Sequence, residues 1–265
     1  MECSACHGEK VLIAQRGDYA QAKVCGCQRP CPRCHGKGYI FTTDEVGYRI
    51  ARQCVCTDLD RRVALFNEAL LPSRYADATF GRIHIDEHAA DMKRARARAW
   101  RFVREYEPGM AGLLFHGPTG TGKTHLSIAV LRYLILERGV RAVFREFMHL
   151  LSDLRAGFGD RGRAEALMSP LVTVPVLVID ELGKGRGSDW ELNVLDELIS
   201  KRYNAERTTL FTTNYPLETT AEPNAQKGFE SLQERIGHRI HSRLMEMCDP
   251  IRISGRDFRR LNRAD

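Results

Sequence analysis

The stretch "GLLFHGPTGTGKTHLSIAVLRYL", residues 112–134, decides the fold of this chain. It begins with an apolar run, continues into the loop Gly117–Thr124, and then places Ile128, Leu131 and Leu134 at helical spacing. A strand followed by the pattern GxxxxGK[ST] and then by a helix is the setting in which a phosphate-binding loop works. The sequence therefore predicts a nucleotide-binding α/β domain built around this segment.

The loop carries the groups that bind a nucleotide triphosphate. Its glycines let backbone N–H groups close around phosphate oxygens, the Lys123 ammonium reaches the β and γ oxygens, and the Thr124 hydroxyl ligates Mg²⁺. The sequence therefore predicts ATP and Mg²⁺ as cofactors. We assign nucleotide contacts to the loop and to the residue that follows it: Gly117, Pro118, Thr119, Gly120, Thr121, Gly122, Lys123, Thr124 and His125.

Polar side chains end two further apolar segments. "VPVLVIDEL" closes on Asp180 and Glu181, and "TTLFTTNYP" runs to Asn214. In a phosphate-loop protein we expect Asp180 to hold Mg²⁺ through water, together with Thr124, and Glu181 to polarise the attacking water. Asn214 is expected to orient that water. The alternative is that these are ordinary strand-end acids and a turn asparagine, but in this context they predict ATP hydrolysis.

Apolar segments of strand length recur through the core. We expect strands near 112–116, 140–146, 174–179, 208–213 and 250–253. Helices between them include 147–156, whereas 159–170 is expected to form a loop and a short helix. Alternating strands and helices predict an α/β, three-layer αβα core with a parallel sheet. We place this core at 112–265, after a helical linker and pre-core segment at 57–111.

Eight of the nine cysteines precede residue 57 and form a tandem repeat. In each copy a CxxC pair is followed by a CxC pair, giving Cys3, Cys6, Cys25 and Cys27, then Cys31, Cys34, Cys54 and Cys56. Four thiolates complete a structural zinc site and leave no open position for catalysis. The sequence therefore predicts a module over 1–56 with two structural Zn²⁺ ions, one in each repeat.

Disulfides are the main alternative for these cysteines, and an iron–sulfur cluster is compatible with their spacing. The chain starts without a secretory signal pattern, and a core that uses ATP indicates a reducing, cytoplasmic compartment, which favours metal. With two zinc sites, the module has a net charge of about −1, which favours a protein partner over phosphates. Cys248 stands apart and is predicted to be a buried thiol.

The chain has a net charge of +6, and its basic residues concentrate in two places. One is the segment 92–105 and the other is the tail from Arg235 to Arg263. Each is compatible with a solvated helix face and with a nucleic-acid contact. No segment approaches the roughly 18 consecutive apolar residues of a membrane span, so we expect no membrane association.

Seven segments, in order, carry a resemblance to a known family. They are "ALLPSRYADATF", "GPTGTGKTHL", "VLVIDELGK", "WELNVLDELISKRY", "FTTN", "RIHSRLMEMC" and "IRISGRDFR". The chain resembles the DnaC/IstB-like branch of the AAA+ ATPases, which contains bacterial replicative-helicase loaders and transposition helper ATPases. The resemblance implies an AAA+ P-loop core with the strand order 5-1-4-3-2, and assembly into homo-oligomers.

The resemblance also implies roles for two arginines. Arg243 in "SRL" corresponds to an arginine finger that reaches the nucleotide of the neighbouring subunit, and Arg259 in "DFR" to a nucleotide-contacting sensor. Arg239, one helical turn before Arg243, is the alternative finger. A cation at this place suits the charge that develops on the γ-phosphate during transfer.

The resemblance and the cysteine module together favour a helicase loader acting in DNA replication. Such a protein would bind ATP and single-stranded DNA and dock a replicative helicase through residues 1–56. One alternative is an IstB-like transposition helper ATPase that binds duplex DNA. Another is a zinc-module adaptor whose core serves only as a nucleotide-gated assembly element.

Overall fold

A computed structural model describes residues 3–83, 90–156, 161–185, 187–218 and 230–258. The chain divides into two compact units, Met1–Asp77 with Arg132–Arg141, and Ala78–Leu131 with Ala142–Asp265. The domain boundaries expected after residues 56 and 111 stay predictions. Within the described ranges, no helix has both the length and the apolar character needed to cross a membrane.

The first unit contains two β-hairpins and a helix. These elements are β1 (Val11–Arg16), β2 (Tyr19–Val24), β3 (Tyr39–Thr43), β4 (Arg49–Gln53) and α1 (Val55–Glu68). The strands pair antiparallel, β1 with β2 and β3 with β4. Each hairpin lies between the CxxC and CxC pairs of one repeat, so the duplicated cysteine pattern corresponds to a duplicated structural element.

The two hairpins differ in how their residues are covered. In β2, Ala20 and Ala22 are buried, and the Asn67 side chain of α1 bonds the Ala22 N–H at 2.7 Å and the Ala22 carbonyl at 3.1 Å. In β3, only every second residue is partly buried, and Tyr39 and Phe41 are exposed. The first hairpin is therefore held by packing and backbone-directed hydrogen bonds, and the second presents an aromatic face.

The second unit alternates helices and parallel strands. Its elements are α2 (Ala90–Glu105), β5 (Gly112–His116), α3 (Lys123–Leu136), β6 (Ala142–Glu146), α4 (Phe147–Ala156), α5 (Arg161–Thr173), β7 (Val176–Asp180), α6 (Asp189–Asn204), β8 (Thr208–Thr213), α7 (Leu232–Ile236), α8 (His238–Met247) and β9 (Cys248–Arg252). The last residues of α3, from Arg132, belong to the first unit.

The five strands form one parallel sheet in the order β6-β7-β8-β5-β9. Numbered along the core, this is the order 5-1-4-3-2 that the resemblance implies, so the predicted fold class is confirmed. Every residue of β7 and β8 is buried, as expected for central strands covered on both faces. The last strand begins at Cys248, two residues before the predicted start.

Helix α5 is longer than the sequence predicts. We expected the segment to end at Pro170, but the helix continues to Thr173. A proline removes only its own N–H from the helical hydrogen bonds, and its carbonyl still accepts. Here the Pro170 carbonyl accepts the Val174 N–H at 3.0 Å. The proline therefore lies inside the last turns of the helix rather than marking its end.

A fully buried arginine joins the elements that lead into β7 and β8. Arg202 of α6 donates to the carbonyls of Leu171 at 2.6 Å, Val174 at 2.9 Å and Thr208 at 2.7 Å, and to the Thr209 hydroxyl at 2.8 Å. Burial lowers the pKa of Arg202 to about 9, which still leaves the guanidinium charged at neutral pH. These bonds fix the beginnings of β7 and β8, whose opposite ends lead to the predicted site residues Asp180 and Asn214.

Candidate nucleotide site and cysteine centres

The loop Gly117–Thr124 joins β5 to α3 and packs closely against the chain that follows β9. A Cβ added to Gly117 would lie 2.0 Å from the Ile253 carbonyl oxygen, and one on Gly120 would lie 1.8 Å from Asp257 Oδ1. Both glycines have positive φ angles, 137° and 80°. The loop therefore needs glycine at both positions for space as well as for conformation.

Lys123 is buried at the beginning of α3. Its Nζ donates to the carbonyl of Gly117 at 2.8 Å and to that of Pro118 at 2.6 Å. The Thr121 hydroxyl also donates to the Pro118 carbonyl, at 2.9 Å. The ammonium thus lies against the loop's own backbone, where its charge is available to an anion that the loop encloses.

Asp180, at the end of β7, meets the loop through Thr124. The Thr124 hydroxyl lies 2.9 and 3.1 Å from the two carboxylate oxygens, and the Thr212 hydroxyl donates to Oδ1 at 2.6 Å. Burial raises the pKa of Asp180 to about 6, although these hydrogen bonds lower it, and the nearby carboxylates of Glu181 and Glu146 raise it further. A carboxylate and a hydroxyl so close together are the oxygen ligands that Mg²⁺ takes, so these residues fit that ion.

Asp180→Asn is expected to remove a pH-dependent loss of stability. In the folded chain the Asp180 pKa is about 6, against an ordinary 3.8, so ionisation weakens the folded state. The cost is absent below pH 3.8, grows up to pH 6, and is about 3 kcal/mol above that. In chemical denaturation without ligand, the variant should therefore have a higher free energy of unfolding than the wild type at pH 7. At pH 4 the two proteins should be equally stable.

The exposed carboxylate of Asp153 supplies the control for this experiment, because Asp153→Asn should leave the wild-type pH dependence in place. Adding Mg²⁺ and ATP should stabilise the wild type and the control but not Asp180→Asn. Parallel pH profiles for the wild type and Asp180→Asn would contradict the assignment of a raised pKa to this carboxyl.

Glu181 has a backbone conformation that is uncommon for a residue with a side chain. Its φ is +58°, and its N–H donates to the Thr212 hydroxyl at 3.0 Å. The carboxylate forms an ion pair with Lys184, whose Nζ also lies 3.8 Å from the Glu146 carboxylate. The hydrogen bond that Lys184 Nζ donates to the Glu181 carboxylate raises the pKa of Lys184 above its ordinary value. Strain of this kind at a predicted catalytic residue is typical of active sites.

The remaining predicted site residues within the described ranges lie at the end of β8, on α8 and next to the phosphate loop. Asn214 is half-buried and directly follows β8, the neighbour of β7, so it lies at the same edge of the sheet as Glu181. Arg243 of α8 bonds the Asp196 carboxylate of α6 at 2.9 Å, and Arg239 lies 3.6 Å from the same carboxylate. The roles assigned to all of the site residues remain predictions. His125 Nε2 lies 3.3 Å from the Thr79 carbonyl, and Arg259 lies outside the described residues.

Three residues that sequence reasoning missed contact the predicted acids or the turn after them. Thr212 links the Asp180 side chain to the Glu181 backbone, and Lys184 pairs with Glu181. Arg235 of α7 donates to the Gly183 carbonyl at 2.7 Å. The motif "FTTN" offered a signal for Thr212, because a threonine near the end of a strand beside the acids can reach them. Nothing in the spacing pointed to Arg235.

The cysteines of each repeat converge on one centre, as predicted. The sulfur–sulfur distances are 3.8 Å for Cys3–Cys25, 3.6 Å for Cys6–Cys27, 3.8 Å for Cys31–Cys54 and 3.5 Å for Cys34–Cys56. Four sulfurs around a tetrahedral zinc ion, each at about 2.3 Å from the metal, lie about 3.8 Å apart. Both quartets could therefore hold a metal ion. All nine cysteines are free thiols, which is against the disulfide alternative.

The backbone favours the thiolate form at the first centre. The N–H groups of Cys6 and Ala5 are the largest influences on Cys3 and lower its pKa to about 7. Cys248 differs from the eight clustered cysteines, because it is buried and its pKa is raised by that burial. Its sulfur donates to the Thr209 carbonyl at 3.2 Å, so it is a core thiol, as predicted.

The parallel sheet, the phosphate loop and the paired acids define an ATP-binding protein of the AAA+ type. Residues 69–265 match the family model described as IstB-like ATP binding protein. The match covers most of the chain, and the chain therefore belongs to that family.

Known helicase loaders are among the proteins similar to this chain. The Replicative helicase loader DnaC of Escherichia coli (strain K12) is 31% identical over 125 residues, which are 47% of this chain and 51% of DnaC. The match thus spans about half the length of this curated relative. The crystal structure of the DnaC helicase loader has a TM-score of 0.59 and 31% identity, with 68% of this chain and 99% of that chain covered. The crystal structure of DnaI has a TM-score of 0.55 and 26% identity, with 71% of this chain and 93% of that chain covered.

Proposed function

We propose that this protein is an ATP-hydrolysing helicase loader that acts in DNA replication in the cytoplasm. It binds Mg²⁺–ATP and single-stranded DNA and docks a replicative helicase through residues 1–56. The observation that carries this proposal is the agreement of the core with the DnaC helicase loader over 99% of that structure, at 31% identity. The additional cysteine module supplies a separate surface for a partner.

The residues at the sheet edge support the proposed hydrolysis of ATP. The loop N–H groups and Lys123 hold the phosphates. Thr124 and Asp180 would hold Mg²⁺, which would neutralise charge that develops on the phosphate oxygens. The Thr212 hydroxyl holds both acids in place, because it donates to the Asp180 carboxylate at 2.6 Å and accepts the Glu181 N–H at 3.0 Å. Glu181 leaves its ion pair with Lys184 and accepts a proton from the water that attacks the γ-phosphorus, while the bond from that phosphorus to the bridging oxygen breaks and ADP leaves. Asn214 orients that water.

Arg243 acts on the nucleotide of a neighbouring subunit in a homo-oligomer. Its bond to Asp196 and its contact with the Ser200 hydroxyl hold the guanidinium at the surface between α6 and α8. The side chain is about a quarter exposed, so it remains accessible to a second copy of the chain. Arg239 shares the Asp196 carboxylate and is held more loosely, at 3.6 Å, which favours Arg243 as the finger.

Each cysteine quartet holds one structural Zn²⁺ ion. The sulfur–sulfur distances of 3.5 to 3.8 Å suit a tetrahedral site, and four thiolates complete its coordination. Residues 1–56 therefore form a module that the metal stabilises, and 57–111 connects it to the ATPase core at 112–265. The metal has no part in the hydrolysis.

The second hairpin is the surface that docks the helicase. Tyr39, Phe41 and Tyr48 are 45%, 52% and 70% exposed, and the Tyr39 and Phe41 rings meet edge to face at 5.6 Å. Exposed aromatic clusters are typical of protein interfaces. A module with a net charge of about −1 lacks the excess cations that a phosphate backbone requires, so a protein partner fits this face better.

ATP turnover with different DNA separates this proposal from its alternatives. A loader should hydrolyse ATP in a way that responds to single-stranded oligonucleotides more than to duplex of the same length. Stimulation by duplex alone would favour the transposition helper. Turnover by the wild type no higher than that of Glu181→Gln, with or without DNA, would favour the adaptor whose core only binds nucleotide.

A further inference from the structure

Helix α2 carries most of the excess positive charge of the chain. The 16 residues Ala90–Glu105 contain six arginines and lysines and two acids, whereas the chain as a whole has a net charge of +6. The exposed basic side chains and one aromatic form what we call the α2 stripe: Lys93, Arg94, Arg98, Trp100, Arg101 and Arg104. Arg94, Arg98, Arg101 and Arg104 follow one another at intervals of three or four residues, and Lys93 and Trp100 lie beside this row, so the set covers one face over about 16 Å.

The opposite face of α2 explains the direction of the stripe. Met92, Ala95, Ala99, Phe102 and Val103 are all buried, so the helix is fixed in rotation by its packing. The basic side chains are therefore held towards solvent by the fold, and their common direction does not depend on ligand.

Other helices of the chain arrange exposed charges differently. In α1, Asp58 pairs with Arg61 at 2.7 Å and with Arg62 at 2.6 Å, and in α6 Glu197 pairs with Lys201 at 2.6 Å. Both helices mix the two signs, so neither presents an excess of positive charge. The α2 stripe instead places like charges three and four residues apart, which destabilises an isolated helix.

Acidic neighbours reduce the charge of the stripe but do not cancel it. Arg94 contacts Asp91, and Arg98 contacts Asp249 of β9. Arg101 lies 4.0 Å from Glu105. These arginine side chains are nevertheless 73%, 47% and 65% exposed, so each can still donate to a ligand in solvent. Pairs this exposed are weak, and phosphate can replace or share them.

Trp100 indicates which polyanion fits. Its side chain is 41% exposed among the arginines, and its ring meets the Phe80 ring edge to face at 5.1 Å. A basic groove or stripe with an aromatic ring among its cations is typical of single-strand binding, because the ring stacks on an unpaired base while the cations follow the backbone. A paired base offers no such face to a side chain on the outside of a duplex.

We propose that the α2 stripe is the single-stranded DNA contact of this protein, with Arg94, Arg98 and Arg101 on successive phosphates and Trp100 stacked on a base. This assignment rests on the proposed function, which requires single-strand binding but does not say where it occurs. The residues of the nucleotide site are separate from the stripe, so the two can be changed independently.

The test is the salt dependence of binding by the full-length protein. Fluorescence anisotropy with a labelled oligothymidine, in Mg²⁺ and ATP, gives the dissociation constant at several salt concentrations. For Arg94→Gln/Arg98→Gln/Arg101→Gln we expect the slope of log K against log salt to fall by about 2, because each lost phosphate contact removes about 0.7. Affinity near physiological salt should fall at least about tenfold.

Two further variants separate the stacking and charge effects. Trp100→Ala should weaken binding by about five- to a hundredfold with the salt slope unchanged, since a stacked ring releases no counterions. Arg16→Gln/Lys201→Gln/Arg207→Gln removes the same charge from exposed positions elsewhere and should bind like the wild type. Glutamine is a good helix former, so the stripe variant should keep its thermal stability and its ATP turnover without DNA.

The outcomes distinguish this assignment from the proposed function. If the wild type binds single strands and the stripe variant keeps its affinity and slope, the stripe assignment alone is wrong. Equal loss in the control variant would overturn it as well, because net charge alone would then account for the effect. If the wild type binds duplex but no single strand, both the stripe assignment and the helicase-loader proposal fail.

Discussion

Arg243→Ala is expected to lower ATP turnover by about a thousandfold while leaving ATP affinity nearly unchanged. The guanidinium acts on charge that develops only during phosphoryl transfer, so its loss affects the rate rather than ground-state binding. Turnover should be measured in the assembled oligomer, together with ATP binding. Arg239→Ala is the matched control, because Arg239 shares Asp196 with Arg243 but is held at a longer distance, 3.6 Å.

Mixing two inactive variants tests whether Arg243 acts between subunits. Glu181→Gln keeps the finger and lacks the base, whereas Arg243→Ala keeps the base and lacks the finger. In mixed oligomers some interfaces combine an intact Glu181 with an intact Arg243 of the neighbour, so part of the wild-type turnover should return. Wild-type turnover by Arg243→Ala alone, or no recovery in mixtures that demonstrably co-assemble, would contradict the assignment.

Removing zinc is expected to unfold the second hairpin and spare much of the first. A structural zinc site contributes on the order of 10 kcal/mol to folding. In β3 no residue is buried, so Cys34→Ser should leave β3 and β4 without support. In the first hairpin, Cys6→Ser should have a smaller effect, because Ala20 and Ala22 are buried and Asn67 bonds the β2 backbone.

Hydrogen exchange of the full-length variants, with metal analysis, measures both effects. The wild type should contain two zinc ions per chain, as its two quartets allow, and each serine variant should contain one. Cys248→Ala, which removes a buried thiol of the core, should keep both ions. A wild-type content well under two, iron in place of zinc, or unchanged exchange of β3 and β4 in Cys34→Ser would count against the zinc assignment.

The parts of the site that lie on contiguous sequence could be predicted. The loop from Gly117 to Thr124 directly follows β5, and the pair Asp180–Glu181 lies at the end of β7. Their chemistry requires those residue types side by side. The cysteine quartets could be predicted from the sequence, because a closed metal site requires four ligands at short spacings and the repeat contains two such sets. The strand order came from the family resemblance, because neither strand length nor periodicity determines which strands are neighbours.

The contacts that the sequence did not predict depend on the strand order and on the pairing register between neighbouring strands. Thr212 reaches Asp180 only because β7 and β8 are neighbours with Ile179 paired to Phe211. The buried guanidinium of Arg202 takes its acceptors from residues up to 31 positions away, so the sequence offered nothing to mark it as a core residue. The extension of α5 beyond Pro170 to Thr173 has a similar cause. A proline predicts the end of a helix from local sequence, and the surrounding packing overrides that preference here.

The most direct test of the central claim is whether the full-length chain forms a complex with the replicative helicase of its host. Light scattering of the mixture in ATP should give the mass of a helicase hexamer with loader bound. Phe41→Ser should weaken that complex at least about thirtyfold, as loss of an aromatic anchor does. Tyr19→Ser, which removes a comparably exposed ring from the first hairpin, should not. A chain that binds ATP and retains its zinc, yet forms no complex with the helicase, would contradict the account.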